Sequence, residues 1–143
     1  MEISNMTLED FYQIEPVFIT EFDDFWKPEN LKSELENLNS KYIVAKENGL
    51  VVGFAGLWFS VDDAHITNIV VRKSYRQQGI GNALLKVLIE LGKVKESLTL
   101  EVNTQNGIAQ KLYLKHGFEN LGIRKKYYGG IQDAYIMTLY YNK

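Results

Sequence analysis

Apolar positions along this chain change their period several times, and each change marks an element. Glu2 to Met6 reads as a short first strand. Thr7 then caps a helix, with Asp10 at the capping-box position. Leu8, Phe11, Tyr12, Phe18, Ile19 and Phe22 form a helical stripe interrupted only at Glu15. Pro28 stands at a first helical position, and Leu31, Leu35 and Leu38 recur at helical spacing behind it. From Tyr42 the period shortens. Tyr42 to Lys46 reads as a strand, Asn48-Gly49 as a hairpin turn, and Leu50 to Phe59 as the returning strand. Asp62-Asp63 makes another turn. Ala64 to Val71 then alternates into the run Ile69-Val70-Val71, the pattern of a strand covered on both faces.

The second half is more regular. Gly79 to Leu91 predicts an amphipathic helix with Ile80, Ala83, Leu84, Val87, Leu88 and Leu91 on one face, ended by Gly92. Ser97 to Val102 is a strand, and Gly107 to Lys115 is a helix stopped by Gly117. Phe118 to Lys125 and Ala134 to Tyr141 close the chain as a strand pair. The order β-α-α-β-β-β-α-β-α-β-β predicts a mixed α/β fold, with a parallel pair joined by the Gly79–Leu91 helix through a right-handed crossover. No repeat or linker divides the 143 residues, so one domain spanning 1–143 is expected.

Composition narrows the chemistry. The chain has no cysteine, which excludes disulfides, thiolate catalysis and cysteine-based zinc sites. Its two histidines, His65 and His116, stand far apart and form no metal-binding pair, so no metal is expected. A net charge of −2 provides no basic field for nucleic acid. Met1 to Asp10 carries Glu2, Glu9 and Asp10 and lacks the apolar core of a signal peptide. No apolar run is long enough to cross a bilayer. A cytoplasmic protein without membrane partners is expected.

The segment from Arg76 to Gly81 joins a buried strand to an amphipathic helix and places its glycines where the helix begins. A helix start offers free N–H groups and partial positive charge. Without side chains at positions 79 and 81 a phosphate can approach that backbone, and Arg76 can add a cationic contact. A glycine turn without a ligand has the same Gly-x-Gly spacing. A P-loop requires Lys and Ser or Thr after its glycines, and here Asn82-Ala83 follows Gly81. A dinucleotide fingerprint requires a third glycine on a first strand, and position 84 is Leu in mid-chain.

Arg76-Gln77-Gln78-Gly79-Ile80-Gly81 resembles the Arg/Gln-x-x-Gly-x-Gly/Ala motif that binds the CoA pyrophosphate in GNAT acetyltransferases. The element order resembles that fold over the whole chain: a central mixed, twisted sheet of about seven strands with four helices. The likeness is stronger to the branch of ribosomal-protein-alanine N-acetyltransferases (RimI-type). Ala64 to Val71 looks like that branch's fourth strand. Leu100-Glu101-Val102, Asn106 and Leu112-Tyr113 look like its fifth strand and following helix. Arg124 to Tyr128, with Asp133-Ala134, looks like its C-terminal hairpin, and Phe25-Trp26 and Glu34-Leu35 fit its second-helix region.

The resemblance implies acetyl-CoA as cosubstrate, held by Ile69, Val70, Val71, Arg76, Gln77, Gln78, Gly79, Ile80, Gly81, Asn82 and Asn106. It implies Glu101 as general base and Tyr113 as the acid that protonates the departing thiolate. Backbone amides of Ile69–Val71 would polarise the thioester carbonyl. Spacing alone leaves plainer readings open: Glu101 faces solvent on an alternating strand, Tyr113 is one of nine tyrosines, and Asn106 caps a helix. His65 and His116 are expected to be structural, Trp26 and Trp58 to sit in core or interface, and Arg124-Lys125-Lys126 to be a solvated strand end. Tyr127 and Tyr128 can line a peptide groove. The implied acceptor is a protein N-terminal α-amine, as on a small-subunit ribosomal protein beginning with alanine. A small amine (a polyamine or aminoglycoside) is the rival acceptor, and a non-catalytic acyl-CoA-binding module the rival class.

Overall fold

The first helix starts where its capping box requires. Thr7 Oγ1 accepts from the Asp10 backbone N–H at 3.2 Å, and Asp10 Oδ2 accepts from the Thr7 N–H at 2.9 Å. A computed structural model describes residues 1–22, 27–125 and 132–142. Seven strands, β1 (Glu2–Asn5), β2 (Ser40–Glu47), β3 (Leu50–Phe59), β4 (Asp63–Val71), β5 (Ser97–Asn103), β6 (Glu119–Arg124) and β7 (Ala134–Tyr140), form one sheet in the order β1-β2-β3-β4-β5-β7-β6. Every neighbouring pair is antiparallel except β4 with β5. The helices are α1 (Leu8–Ile14), α2 (Pro28–Leu35), α3 (Ile80–Gly92) and α4 (Gly107–Lys115). The expected mixed α/β fold and its parallel pair are present.

The sheet separates two cores because alternate strand residues face opposite sides. Ile43, Ala45, Val52, Ala55 and Leu57 join Leu84, Leu85 and Leu88 of α3 in one. Tyr42, Val44, Val51, Phe54 and Val70 join Phe11, Ile14, Phe18, Phe22 and Leu31 in the other. Asn48 and Gly49, at φ 50° and 83°, turn β2 into β3 as the Asn-Gly signal predicts.

Three expectations change. The stripe from Leu8 to Phe22 is not one helix: α1 ends at Ile14, a 3-10 turn spans Glu15–Val17 and a π turn spans Phe18–Phe22. Pro16 has no N–H to continue the ladder, and its ring disfavours the α-helical turn before it. Leu38 lies beyond α2 and is fully exposed, so helical spacing outlasted the helix. Gly92 is the last residue of α3, not its stop. A Cβ there would lie 2.5 Å from the Tyr141 hydroxyl, so packing accounts for the glycine.

Candidate active site

The site begins with one surplus residue. In the β3–β4 register Gly56 faces Asn68 and Leu57 faces Ile66, which leaves Thr67 unpaired as a bulge. β4 pairs with β5 only before that point, at Asp63↔Ser97, Ala64↔Leu98 and His65↔Thr99. A bulge bends and twists its strand, and beyond it β4 and β5 part into a wedge. Thr67 Oγ1 lies 2.9 Å from the Tyr42 hydroxyl. The Tyr42 ring occupies the space above Gly56, where a Cβ would come within 2.2 Å of it. Burial pushes the Tyr42 hydroxyl up to about 12, with the Thr67 bond opposing and the Glu34 charge adding to the shift. Tyr42 therefore pins the bulge as a neutral phenol.

Hydrogen-bond alternation decides which β4 backbone groups face the wedge. Arg72 N–H donates to Val52 O at 2.7 Å, so by the antiparallel two-residue repeat Val70 and Asn68 also bond toward β3. The N–H groups of Ile69 and Val71 point the other way. The Val71 carbonyl accepts from Arg76 Nε at 2.9 Å. Of the three residues expected to offer amides, Ile69 and Val71 do so, while Val70 contributes its side chain to the wall.

Two hollows follow along β4. The first, of about 480 Å³, is lined by Phe22, Ile69, Val70, Val71, Arg76, Gly81, Asn106, Ile108, Ala109, Leu112 and Tyr113. It continues past Gln77, Gly79, Ile80 and Asn82 to Lys111 and Lys115. Gln77 at φ 63° and Gly79 at φ 85° are left-handed, a backbone arrangement that gathers N–H groups into a concave anion site. Ala83 N–H is bonded back to Gly79 O, so the N–H groups of Ile80, Gly81 and Asn82 have no intrahelical partner. No acidic side chain occupies the first turn of α3. A Cβ on Gly81 would meet only Val71 Cγ2, at 3.8 Å, so the space above this backbone is open. These features suit a diphosphate. Arg76 is less free than expected: besides its bond to Val71 O, its terminal nitrogen donates to Phe22 O at 2.8 Å. It retains further donors facing the hollow. Arg72 also braces Phe22, with its guanidinium 4.7 Å from the ring centre.

Tyr113 stands in the wall of this hollow with its ring 5.7 Å from that of Phe118, and burial raises its hydroxyl above the ordinary phenol value. Asn106 both lines the hollow and caps α4, its Oδ1 accepting from Ala109 N–H at 3.1 Å. Asn82 Oδ1 lies 2.7 Å from His116 Nε2 and ties the first turn of α3 to the end of α4. Burial and then the charges of Lys115 and Lys86 lower the His116 pKa, which keeps the ring neutral in this structural role.

The second hollow, of about 500 Å³, is lined by Glu34, His65, Ile66, Thr67, Thr99, Leu100, Glu101, Arg124 and Ile136. Glu101 lies here on the solvent side of its strand: its side chain is 46% exposed and its Oε1 sits 3.0 Å from Arg124 Nε. Leu100 and Val102 take the buried face of β5, so Glu101 must take the other. Arg124 is the exposed end of β6, as expected, and is also the partner of Glu101. His65 is held structurally, 3.4 Å from Ser60 Oγ and with its ring 5.4 Å from Trp58. Phe25, Trp26, Lys126, Tyr127 and Tyr128 lie outside the described residues.

Sequence reasoning missed Phe22, Thr67, Ile108 and the pairing of Arg124 with Glu101 across strands. A bulge leaves no mark in an alternating strand, and Phe22 read as part of an unbroken helix. Ile108, 83% exposed yet lining the first hollow, carried the one usable signal: an apolar residue on the open face of a helix. Among the described residues no group of acidic side chains and histidines is placed to hold a metal ion, and no helix is long and apolar enough to cross a membrane.

Residues 5–118 match the acetyltransferase (GNAT) family, and this chain belongs to it as an N-acetyltransferase. Its likeness within that family is specific. The [ribosomal protein bS18]-alanine N-acetyltransferase of Escherichia coli (strain K12) is 38% identical over 119 residues, 78% of this chain and 80% of its own length. The crystal structure of the ribosomal-protein-S18-alanine N-acetyltransferase from Escherichia coli superposes with a TM-score of 0.86 at 30% identity, covering 97% of this chain and 92% of that one. A GNAT family acetyltransferase from Elizabethkingia anophelis with acetyl-CoA bound shares the fold at a TM-score of 0.75 and 24% identity, covering 98% of this chain and 97% of that one.

Proposed function

We propose that this enzyme transfers acetyl from acetyl-CoA to the α-amine of an N-terminal alanine, on a small-subunit ribosomal protein of the bS18 type, in the cytoplasm. The observation that carries the reading is the wedge, which sets Tyr113 and the amides of Ile69 and Val71 in one hollow and Glu101 in the next. The names of the Escherichia coli relatives support the acceptor.

Acetyl-CoA supplies an acyl group activated as a thioester. Amides of residues 79–82 hold its diphosphate at the start of α3, aided by Arg76. The N–H groups of Ile69 and Val71 receive charge developing on the acyl oxygen. Glu101 takes a proton from the α-ammonium through water, and the freed amine attacks the thioester carbon. As the C–S bond breaks, the nitrogen loses its second proton to solvent, and Tyr113, a neutral phenol, protonates the leaving sulfur and is reprotonated from solvent. An α-amine, with an ordinary pKa of about 7.7–8.0, suits an exposed carboxylate better than a lysine at about 10.4. The difference in deprotonation at fixed pH is about 3 kcal/mol.

The test is direct. The enzyme is incubated with acetyl-CoA and ribosomal proteins, and the acetyl group is located by mass spectrometry. In parallel, peptides with a free N-terminal alanine are compared with the same peptides blocked at the N-terminus but carrying lysine, and with spermidine. Label on an N-terminal alanine and faster turnover of the free peptide are expected. A higher kcat/KM for the lysine peptide or for spermidine refutes the acceptor.

A further inference from the structure

Glu101 and Arg124 come from different strands but share a sheet face. Glu101 is paired with Ile136 of β7 and Arg124 with Ala134, two residues apart on the same strand. Their charged ends meet at 3.0 Å in the floor of the second hollow, with side chains 46% and 61% exposed. A solvated pair of this kind adds little to folding stability. Its geometry is better matched to a ligand.

A guanidinium has five N–H donors and no acceptor. Arg124 uses Nε on Glu101, which leaves the donors of its terminal nitrogens. Across the floor the hollow therefore presents an acceptor, then a row of donors. A peptide N-terminus presents the complement: an amine that donates, then a carbonyl oxygen two carbon atoms away that accepts. A polyamine carries only donors, and its second ammonium would approach the guanidinium as a like charge.

We propose that Arg124 is the residue that selects a peptide N-terminus over other amines, by donating to the acceptor's first peptide carbonyl while it remains paired with Glu101. This rests on the α-amine reading above. Arg124 touches neither the acetyl group nor the departing sulfur. It fixes the acceptor's second atom group and so orients the first.

The test crosses one substitution with one substrate change. Arg124→Ala, Arg124→Lys and the parent are assayed at saturating acetyl-CoA. The substrates are an alanine-initiated peptide, the same peptide with a fluoroalkene in place of its first peptide bond, and spermidine. In the parent, loss of the carbonyl should lower kcat/KM by about tenfold to a hundredfold, the effect of one charged hydrogen bond. In Arg124→Ala the normal peptide should fall by the same factor, the fluoroalkene peptide should stay at the parent's level, and spermidine should improve. Arg124→Lys, which keeps charge without the planar fork, should fall between. Acetyl-CoA affinity and melting temperature, measured by calorimetry, should be unchanged in both variants. An equal drop on both peptides, or no drop on either, overturns the assignment. If the parent acetylates no free N-terminal peptide, the α-amine reading itself is wrong and this one falls with it.

Discussion

At the scale of the residue, position 81 separates binding from folding. A side chain there meets nothing closer than Val71 Cγ2 at 3.8 Å. A carboxylate in the first turn of α3 also complements the helix dipole. Gly81→Asp is therefore expected to fold with an unchanged or slightly higher melting temperature and to lose acetyl-CoA binding in calorimetry. Retained affinity would show that the diphosphate lies elsewhere. Glu101 answers a different question. Glu101→Gln keeps the shape of the hollow and removes the proton acceptor. Its kcat/KM at pH 7 should fall by about 10²–10⁴-fold, with the deficit shrinking as pH rises and the amine deprotonates unaided. Full activity at pH 7 would assign the proton to another group or to water alone. The type and position of these two residues were legible in the sequence. Their surroundings were legible in part: alternation along β5 left Glu101 facing solvent as an open reading, whereas its bond to Arg124 depends on β7 lying between β5 and β6, a tertiary fact.

At the scale of the element, start signals were more reliable than stop signals. The Thr7 capping box, Pro28 opening α2, the Asn48-Gly49 turn and Asn106 capping α4 each act through neighbours in sequence, so a few residues suffice to read them. The stripe that ran through Pro16 failed because periodicity reports which side is apolar, not whether the backbone ladder continues. Gly92 failed because its reason is Tyr141, distant in sequence. The junction of α1 with β2 provides a test of stability. Asp10 is buried, and burial alone would raise its pKa. Its bond to Lys46 at 2.7 Å and its bonds from Thr7 outweigh that, so its carboxyl is held below the ordinary value. A depressed carboxyl stabilises the fold above its unfolded pKa and loses that contribution as pH falls through the folded one. Asp10→Asn should thus cost about 1.5–3 kcal/mol at pH 7, the range for hydrogen bonds to a charged group. The gap from the parent should begin to close below about pH 4, near the unfolded value, and vanish as pH falls through the lower folded one. Denaturant titrations at several pH values would show it, and a gap independent of pH would rule out the carboxylate.

For the whole molecule, the sheet divides labour between its halves. β2 and β3 put side chains into both cores, whereas β5, β7 and β6 turn Glu101, Ile136 and Arg124 to the second hollow. The sequence predicted the strands and the parallel crossover, because patterns of period two and a helix between them suffice. It did not predict that β7 docks on β5 and leaves β6 at the edge, although the largely apolar AYIMTLY of β7 beside the polar ENLGIR of β6 is a local trace of that order. Because the groove proposed for acetyl-CoA draws on β4, α3 and α4, binding there should tighten the molecule globally. At a hundredfold excess over Kd, acetyl-CoA should stabilise it by about 2.7 kcal/mol, which is roughly 5–10 °C in melting temperature for a chain of this size. A thermal scan without such a shift would mean that the groove is not the cofactor's.

The bulge at Thr67 makes the site a matter of counting. Asn68 to Val71 take their places because one residue more stands on β4 than on β3. Removing position 67 would set Ile66 and Asn68 side by side opposite Leu57 and Gly56, a regular ladder in which each residue keeps its partner and its face but the bend of the bulge is gone. β4 would then run on straight beside β5, and the wedge that the amides of Ile69 and Val71 face would close. Substitution at 67 keeps the count and loses the hydroxyl's bonds to Tyr42 and Asn68. A mutational library should therefore be lenient to exchange at this position and unforgiving of deletion. Relatives built on the same wedge should differ in which residue stands there, but not in whether one does.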